Sequence, residues 1–267
     1  MIRVRNKKKI SRILNSRLEF IHFIHNLISQ QERNPSKKIE INTIYSHSGV
    51  EKRRLYDLMN VLTACGITTK DVHLYKWNGM ANFQNCLARI KCDIEHNYSK
   101  KSTEKDSMFL PLRLFSLPKS ATLGTLTTTL FSIFMFFMKD TLKVRDVSLI
   151  IAGPTTKSTH LIKRLYLVTF MLEKIGILKH EIRGGDYKLM CNMKKAISDG
   201  YNLLVQNNDL PPIYIANLLN RIGDYYYENQ LLARNELLEL TLIEASKPRK
   251  FEDPSQSNET HFHIENS

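Results

Sequence analysis

The chain has 267 residues, a length that fits one large domain or two small ones. Apolar residues make up 42% and charged residues 24% of it, which excludes a wholly disordered or collagen-like polypeptide. The formal net charge is +13, with 34 bases against 16 acids in residues 1–204 and 5 against 10 in residues 205–267, so the larger part favours polyanionic partners.

Residues 1–9 form a basic arm, MIRVRNKKK, and no apolar signal segment follows it. We expect Lys7, Lys8 and Lys9 to bind phosphates, or to act as a nuclear import address. A solvated terminus without a role is the alternative reading of this run of charges. Secretion is not expected, because a secretory signal needs an apolar segment.

A first domain is expected over residues 10–95. Apolar residues recur at helical spacing from Ile10 to Gln30, and a second, short helix ends at Gly49. A third helix begins at Val50, and two β-prone segments, 67–70 and 73–77, then flank a tight turn. Three helices followed by a hairpin is the order of a winged-helix domain, whose third helix enters the major groove of DNA.

The third helix is predicted to have two different faces. The core face comprises Leu55, Leu58, Met59, Leu62 and Cys65, and the free face comprises Arg53, Arg54, Asp57, Asn60 and Val61. Asp57 follows Arg53 by four residues and Arg54 by three, so its carboxylate can reach both guanidinium groups. Two positioned arginines suit guanine, whose O6 and N7 accept a bidentate pair. A solvated charged face is the alternative.

The pattern of the third helix returns 110 residues later, as Lys163-Arg164-Leu165-Tyr166-Leu167. This repeat is preceded by a long apolar helix over Leu123–Met138 and a short helix over Val144–Ile150. The apolar stretch of the long helix is too short to span a bilayer. We therefore predict a second winged-helix domain over residues 113–193, with Arg183 at the tip of its wing. A flexible linker is expected over residues 96–112, because that stretch is polar.

The remaining residues are predicted to form a helical extension over residues 194–245 and a disordered tail over residues 246–267. Packing of these helices on the winged-helix domain is favoured over a coiled-coil site for a protein partner. A partner bound through the C-terminal helices stays possible.

Several of these residues resemble a known family. Arg53-Arg54-Leu55-Tyr56-Asp57, the continuation Asn60-Val61-Leu62, the break at Gly66-Ile67 and the segment Tyr75-Lys76-Trp77-Asn78-Gly79 resemble the signature, helix and wing of the E-two-F/DP transcription factors. Two copies in one chain resemble the tandem-domain members. Those members bind DNA without a separate DP partner, so such a partner is possible here but not required.

The resemblance implies a GC-rich core flanked by a T-rich run, with arginines on guanines. It makes Arg53, Arg54 and Arg164 base-reading residues, and the residues expected to support them are Tyr56, Asp57, Asn60, Lys163 and Tyr166. In the second domain Lys163 replaces the first arginine of the motif and Leu167 replaces the aspartate. Lysine presents a point charge rather than a fork, and no carboxylate positions the remaining arginine, so we expect weaker base reading there. A module that only packs and has lost its DNA contacts is the alternative.

The sequence does not predict an enzyme, a cofactor or a metal site. It contains no phosphate-binding glycine loop, no Cys-x-x-Cys pair and no recognisable catalytic constellation. Phosphate binding is instead expected from side chains on the arm, the third helix and the wings, namely Lys7, Lys8, Lys9, Lys52, Lys70 and Arg183.

The predicted fold is thus mostly α-helical with short β-hairpin wings, arranged as two tandem winged-helix domains plus C-terminal helices. The predicted function is a nuclear, sequence-specific regulator of transcription on double-stranded DNA, with a cell-cycle link implied by the resemblance. The alternative is an interaction subunit of a larger chromatin or DNA-processing complex, with mainly non-specific affinity for DNA. No membrane contact is expected.

Overall fold

The structure is a computed structural model that describes residues 2–101, 110–118, 120–152, 157–182, 184–206 and 224–247. These residues are mostly helical and include two three-stranded antiparallel sheets. None of the described helices combines the length and the apolar character that crossing a bilayer requires.

The first half of the chain forms four helices and one sheet. The helices are α1 (Ile2–Arg33), α2 (Ile41–Ser48), α3 (Lys52–Ala64) and α4 (Asn82–Lys101), and the strands are β1 (Ile39–Glu40), β2 (Thr68–Asp71) and β3 (Leu74–Trp77). The strands pair in the order β1-β3-β2. The helices and hairpin of the predicted first domain are present, but β1 and α4 were not anticipated.

The described residues of the second half form six helices and another sheet. The helices are α5 (Leu110–Leu114), α6 (Leu123–Phe137), α7 (Val144–Ala152), α8 (Lys157–Lys174), α9 (Met193–Gln206) and α10 (Asp224–Ser246), and the strands are β4 (Thr141–Lys143), β5 (Leu178–His180) and β6 (Asp186–Leu189). The strands pair in the order β4-β6-β5. From α6 to α9 the order of elements is therefore that of α1 to α4.

The burial of the residues in α3 and the following strand is repeated in α8 and its following strand. Residues 53–70 and residues 163–180 are buried, half-buried or exposed in the same order, except at Gly66 and Gly176. Both glycines have positive φ, 72° and 84°, which lets the chain turn sharply from each helix into its hairpin. The alignment of α3 with α8 therefore holds position by position.

Three predicted boundaries differ from the structure. Residues 96–101 are not linker but the last turns of α4, and residues 110–112 begin α5. Helix α4 continues because Tyr98 still packs on the core, with its ring centre 5.0 Å from that of Phe136. Likewise, the structure begins α1 at Ile2, so the predicted basic arm lies within a helix.

The two halves share one hydrophobic core. Helix α4 packs along α9, and α6 packs on both α3 and α4. Helices α4 and α9 approach closely at Gly200, where a β-carbon would lie 2.6 Å from Cβ of Lys91 and 2.8 Å from the carbonyl oxygen of Ala88. Only a residue without a side chain fits this crossing.

A buried cluster of charges lies beside this crossing. Lys91 Nζ donates to Glu95 Oε1 at 2.5 Å and to the carbonyl oxygen of Met135 at 3.2 Å, and Arg234 Nη2 donates to Glu95 Oε2 at 2.7 Å. The Arg234 guanidinium also lies 4.0 Å from the ring centre of Phe136. Burial alone would raise the pKa of Glu95, but the two cations and their hydrogen bonds outweigh it and hold this pKa below its ordinary value.

Replacing Gly200 by alanine should lower the free energy of unfolding by about 1–3 kcal/mol, because the added methyl group overpacks the α4–α9 crossing. Denaturant unfolding measures this change. Gly184→Ala is the matched control, since a β-carbon there meets no atom within 4 Å. Equal stabilities of the two variants would show that the close crossing does not constrain the fold.

Replacing Glu95 by glutamine should cost about 3–5 kcal/mol, because Lys91 and Arg234 would stay buried without a counter-charge. Since the folded-state pKa of Glu95 is depressed, its contribution is present above the ordinary pKa of 4.5 and is lost as the pH falls through the folded-state value. The stability difference from the parent protein should therefore shrink in acid. Glu239→Gln, an exposed change on α10, should show neither effect.

Candidate nucleic-acid interface

The N-terminal half of α3 presents its charged side chains to the outside. Arg53 is exposed, Arg54 is half-buried, and the buried face of the helix holds Leu55 and Leu58 in the core. Arg54 Nη1 donates to Asp57 Oδ2 at 3.1 Å. The Asp57 side chain is only 17% exposed, so the carboxylate is ordered by its surroundings and can fix the guanidinium plane of Arg54.

The free face of α3 is shorter than the sequence predicts. Val61, expected on that face, is completely buried, and Asn60 is half-buried. The cause is α6, whose first turn packs here: a β-carbon on Gly124 would lie 3.1 Å from the carbonyl oxygen of Asn60. Contact with a ligand is therefore limited to the first two turns of α3, where Tyr56 is 43% exposed.

The wing of the first half is attached firmly to α1 and α3. Glu32 Oε1 accepts hydrogen bonds from Trp77 Nε1 at 3.1 Å and from the Met80 backbone N–H at 2.8 Å. Asn78 Nδ2 donates to Thr69 Oγ1 at 2.7 Å across the hairpin. Glu32 thus attaches the hairpin to the end of α1, and a hydrogen bond of 2.9 Å between the hydroxyl oxygens of Thr63 and Thr68 connects α3 to β2.

Helix α8 repeats the placement of these residues but not their chemistry. Lys163 is exposed like Arg53, and Tyr166 is 44% exposed, almost the same as Tyr56. Arg164 Nη2, however, donates to the carbonyl oxygen of Ala121 at 2.5 Å. No carboxylate follows Arg164 by three residues, because Leu167 stands there.

The two helices face a common cleft of about 700 Å³. Arg54 lines it from α3, Leu167 and Phe170 line it from α8, and Arg17 lines it from α1. The Arg17 guanidinium lies 4.6 Å from the ring centre of Phe170, a distance at which a cation is attracted to an aromatic face. The fold thus brings the first turns of α3 close to the middle of α8.

Three of the contacts between the halves are reciprocal. Helix α1 contacts α8, its counterpart α6 contacts α3, and α4 pairs with its own counterpart α9. These three contacts map onto one another when the two halves are exchanged, as in an isologous dimer interface, whereas the packing of α6 on α4 has no equivalent between the described parts of α1 and α9.

Residues 19–79 match the winged-helix DNA-binding domain of the E-two-F/DP family. The first domain of this chain belongs to that family. The match begins at residue 19 within α1 and spans the rest of that helix, the α2–α3 pair and the whole wing, so it contains Arg53, Arg54, Tyr56 and Asp57. No curated protein and no solved structure matches the chain.

The family domain contains several, but not all, of the predicted binding residues. Lys52 and Lys70 are both exposed, at the start of α3 and on β2 respectively. The lysines of the basic arm lie in the first turns of α1, where only the backbone is described. Arg183 lies outside the described residues.

Glu32 is a structural residue of this family domain that the sequence analysis did not identify. It is 45 positions from Trp77, and its place in the sequence, at the end of a charged helix, gives no sign of this pairing. The only available signal was the single tryptophan of the chain, whose buried N–H needs an acceptor.

Replacing Glu32 by alanine should cost about 1–2 kcal/mol of stability, because Trp77 and Met80 would lose a shared, charged acceptor. Glu32→Gln keeps Oε1 and should retain most of this stability. Trp77 is the only tryptophan, so its fluorescence reports the unfolding of this region directly. Identical unfolding curves for the alanine variant and the parent protein would contradict the anchoring role.

Proposed function

We propose that this protein is a nuclear, sequence-specific regulator of transcription that binds double-stranded DNA. The observation that carries the proposal is the ion pair of Arg54 with Asp57 on the outward side of α3, within a domain of a DNA-binding family. The activity is binding rather than catalysis.

The geometry of α3 suits the reading of guanine. An arginine fork can bond O6 and N7 of guanine together, and a fork already held by a carboxylate loses less conformational entropy on binding. Arg53 lies beside Arg54 on the exposed side of the helix and supplies a second donor group. A GC-rich core read in the major groove is the expected target.

Phosphate contacts would supply the sequence-independent part of the affinity. Two exposed lysines, Lys52 and Lys70, flank the proposed base-reading residues in the sequence. The sequence alone suggests four further phosphate contacts, from Lys7, Lys8, Lys9 and Arg183. Each lysine–phosphate contact releases condensed counterions, so the affinity should fall steeply as salt rises.

The second half would act as a second winged-helix domain. It has the same order of elements and the same burial along α8 as the first half along α3, and Lys163, Arg164 and Tyr166 occupy the equivalent positions. Binding without a separate DP-like partner is proposed from the resemblance to the tandem-domain members, and the packing of the two halves within one chain supports it. Nuclear import is proposed from the basic residues at the start of the sequence, and the link to the cell cycle from the family resemblance alone.

One observation favours a second candidate function, a docking subunit with non-specific DNA affinity. Phe170 and Leu167 place apolar surface on α8, and Arg164 is bound to backbone. A salt series separates the candidates: a sequence-reading protein keeps its preference for one duplex as salt rises, whereas a docking module shows only the phosphate contribution.

Replacing Arg54 by alanine should weaken binding to the preferred duplex by about 1–3 kcal/mol and remove base preference at one position. Selection of duplexes from a random pool, followed by titration, measures both effects. Arg89→Ala is the matched control, since Arg89 is exposed on α4 and its loss changes the charge equally.

An unchanged base preference in the Arg54 variant would refute base reading by α3. Lys70→Ala gives the complementary test. It should weaken all duplexes to a similar extent and reduce the slope of log affinity against log salt by about 1, because it removes one phosphate contact. A loss of base preference in this variant instead would show that Lys70 reads sequence.

A further inference from the structure

Helices α3 and α8 present different chemistry at equivalent positions. The burial of the two segments matches residue by residue, so Leu167 of α8 occupies the place of Asp57 of α3. Lysine also stands at 163, where α3 has Arg53. The residue that orders the arginine fork in the first half is therefore an apolar side chain in the second.

The arginine of α8 is held differently as a result. Arg164 Nη2 donates to the carbonyl oxygen of Ala121, whereas Arg54 donates to a carboxylate beside it on the same helix. A guanidinium that bonds to the backbone ahead of α6 is drawn toward its own domain. Helix α8 thus lacks the positioned fork that would favour guanine.

Neighbouring side chains pack around Leu167 at the surface of α8. Leu167 is half-buried and lines the same cleft as Tyr166 and Phe170. The leucine therefore belongs to an apolar and aromatic patch on α8, which the charged side chains of Arg17, Glu19, Glu51 and Arg54 border in the cleft. Tyr166 has its hydroxyl near the second wing, because a β-carbon on Gly185 would lie 3.2 Å from it. The patch is therefore supported from both sides.

Only one base offers an apolar group of matching kind in the major groove. Thymine carries a C5 methyl group there, whereas the edges of guanine, adenine and cytosine present donors and acceptors. A leucine placed against those polar edges removes water from them without replacing its hydrogen bonds. Against thymine, the same leucine buries a methyl group instead.

We propose that α8 reads thymine through the C5 methyl group, with Leu167 as the specificity-determining residue and Tyr166 beside it. This inference rests on the proposed function and assigns its target: an asymmetric duplex with guanines under α3 and at least one thymine under α8. The second half thus contributes specificity through apolar contact as well as phosphate affinity.

The test replaces thymines one at a time by deoxyuridine in the duplex that selection recovers, which deletes only the methyl group. With the unaltered protein, one or two such changes on the α8 side should weaken binding about three- to five-fold, the contribution of one buried methyl group. Leu167→Ala should lose this sensitivity and keep the guanine preference. Leu232→Ala, an exposed leucine on α10, is the matched control and should keep both.

Two further variants protect the test against a folding defect. Leu167→Met keeps the apolar volume and should retain the deoxyuridine penalty, while Leu167→Asp restores the residue of α3 and should abolish it. Retained guanine preference shows in each case that the protein is folded and bound.

Each contrary result has a distinct meaning. A guanine preference without any deoxyuridine penalty in the unaltered protein would overturn the thymine assignment alone. An equal penalty in the unaltered protein and in Leu167→Ala would assign the methyl contact to another residue and also overturn it. If no duplex is preferred by the unaltered protein, the proposed function fails and this inference fails with it.

Discussion

Lys91 and Glu95, one turn apart on α4, form an ion pair inside the core that both halves of the chain share. Arg234 of α10 adds a second cation to the same carboxylate. A buried cluster of this kind adds little net stability compared with apolar residues, but it makes every arrangement that separates its members costly. It therefore fixes how α4, α6 and α10 lie against one another.

The fixed core determines the distance between α3 and α8. Because Gly200 lets α4 and α9 approach closely, and α6 packs directly on α3, neither α3 nor α8 can move without disturbing buried side chains. Two domains on a flexible tether would search many relative positions before binding DNA. A shared core removes that search, so the proposed docking of both helices on DNA would cost less conformational entropy.

The parts of this fold that sequence could predict are those set by local pattern. The apolar spacing of α3, the glycine after it and the Arg54–Asp57 interval are all contained in a few neighbouring residues. Of the two expected contacts of Asp57, the one with Arg54 is present among the described residues, and the one with Arg53 is not. The same logic detected the repeat at Lys163, since repeated local patterns align without knowledge of the fold.

The parts that sequence missed depend on distant residues. Strand β1 has only two residues and exists through its pairing with Tyr75 and Leu74. Val61 belongs by periodicity to the outer side of α3 and is buried only because α6 covers it. Residues 96–101 look like linker by composition, yet they are helical, with Tyr98 packed on Phe136.

Under the proposed function, the similar arrangement of the two halves and the different residues of α3 and α8 together determine how the protein would bind DNA. Two identical halves with isologous contacts would suit a palindrome and bind it equally well in either direction. The replacement of Asp57 by Leu167 at the equivalent position breaks this equality where base edges would be read. Because the shared core keeps α3 and α8 in fixed relation, an asymmetric pair of helices permits one orientation on an asymmetric duplex. The leucine that replaces the aspartate in the second half would then give the protein one preferred orientation on the duplex.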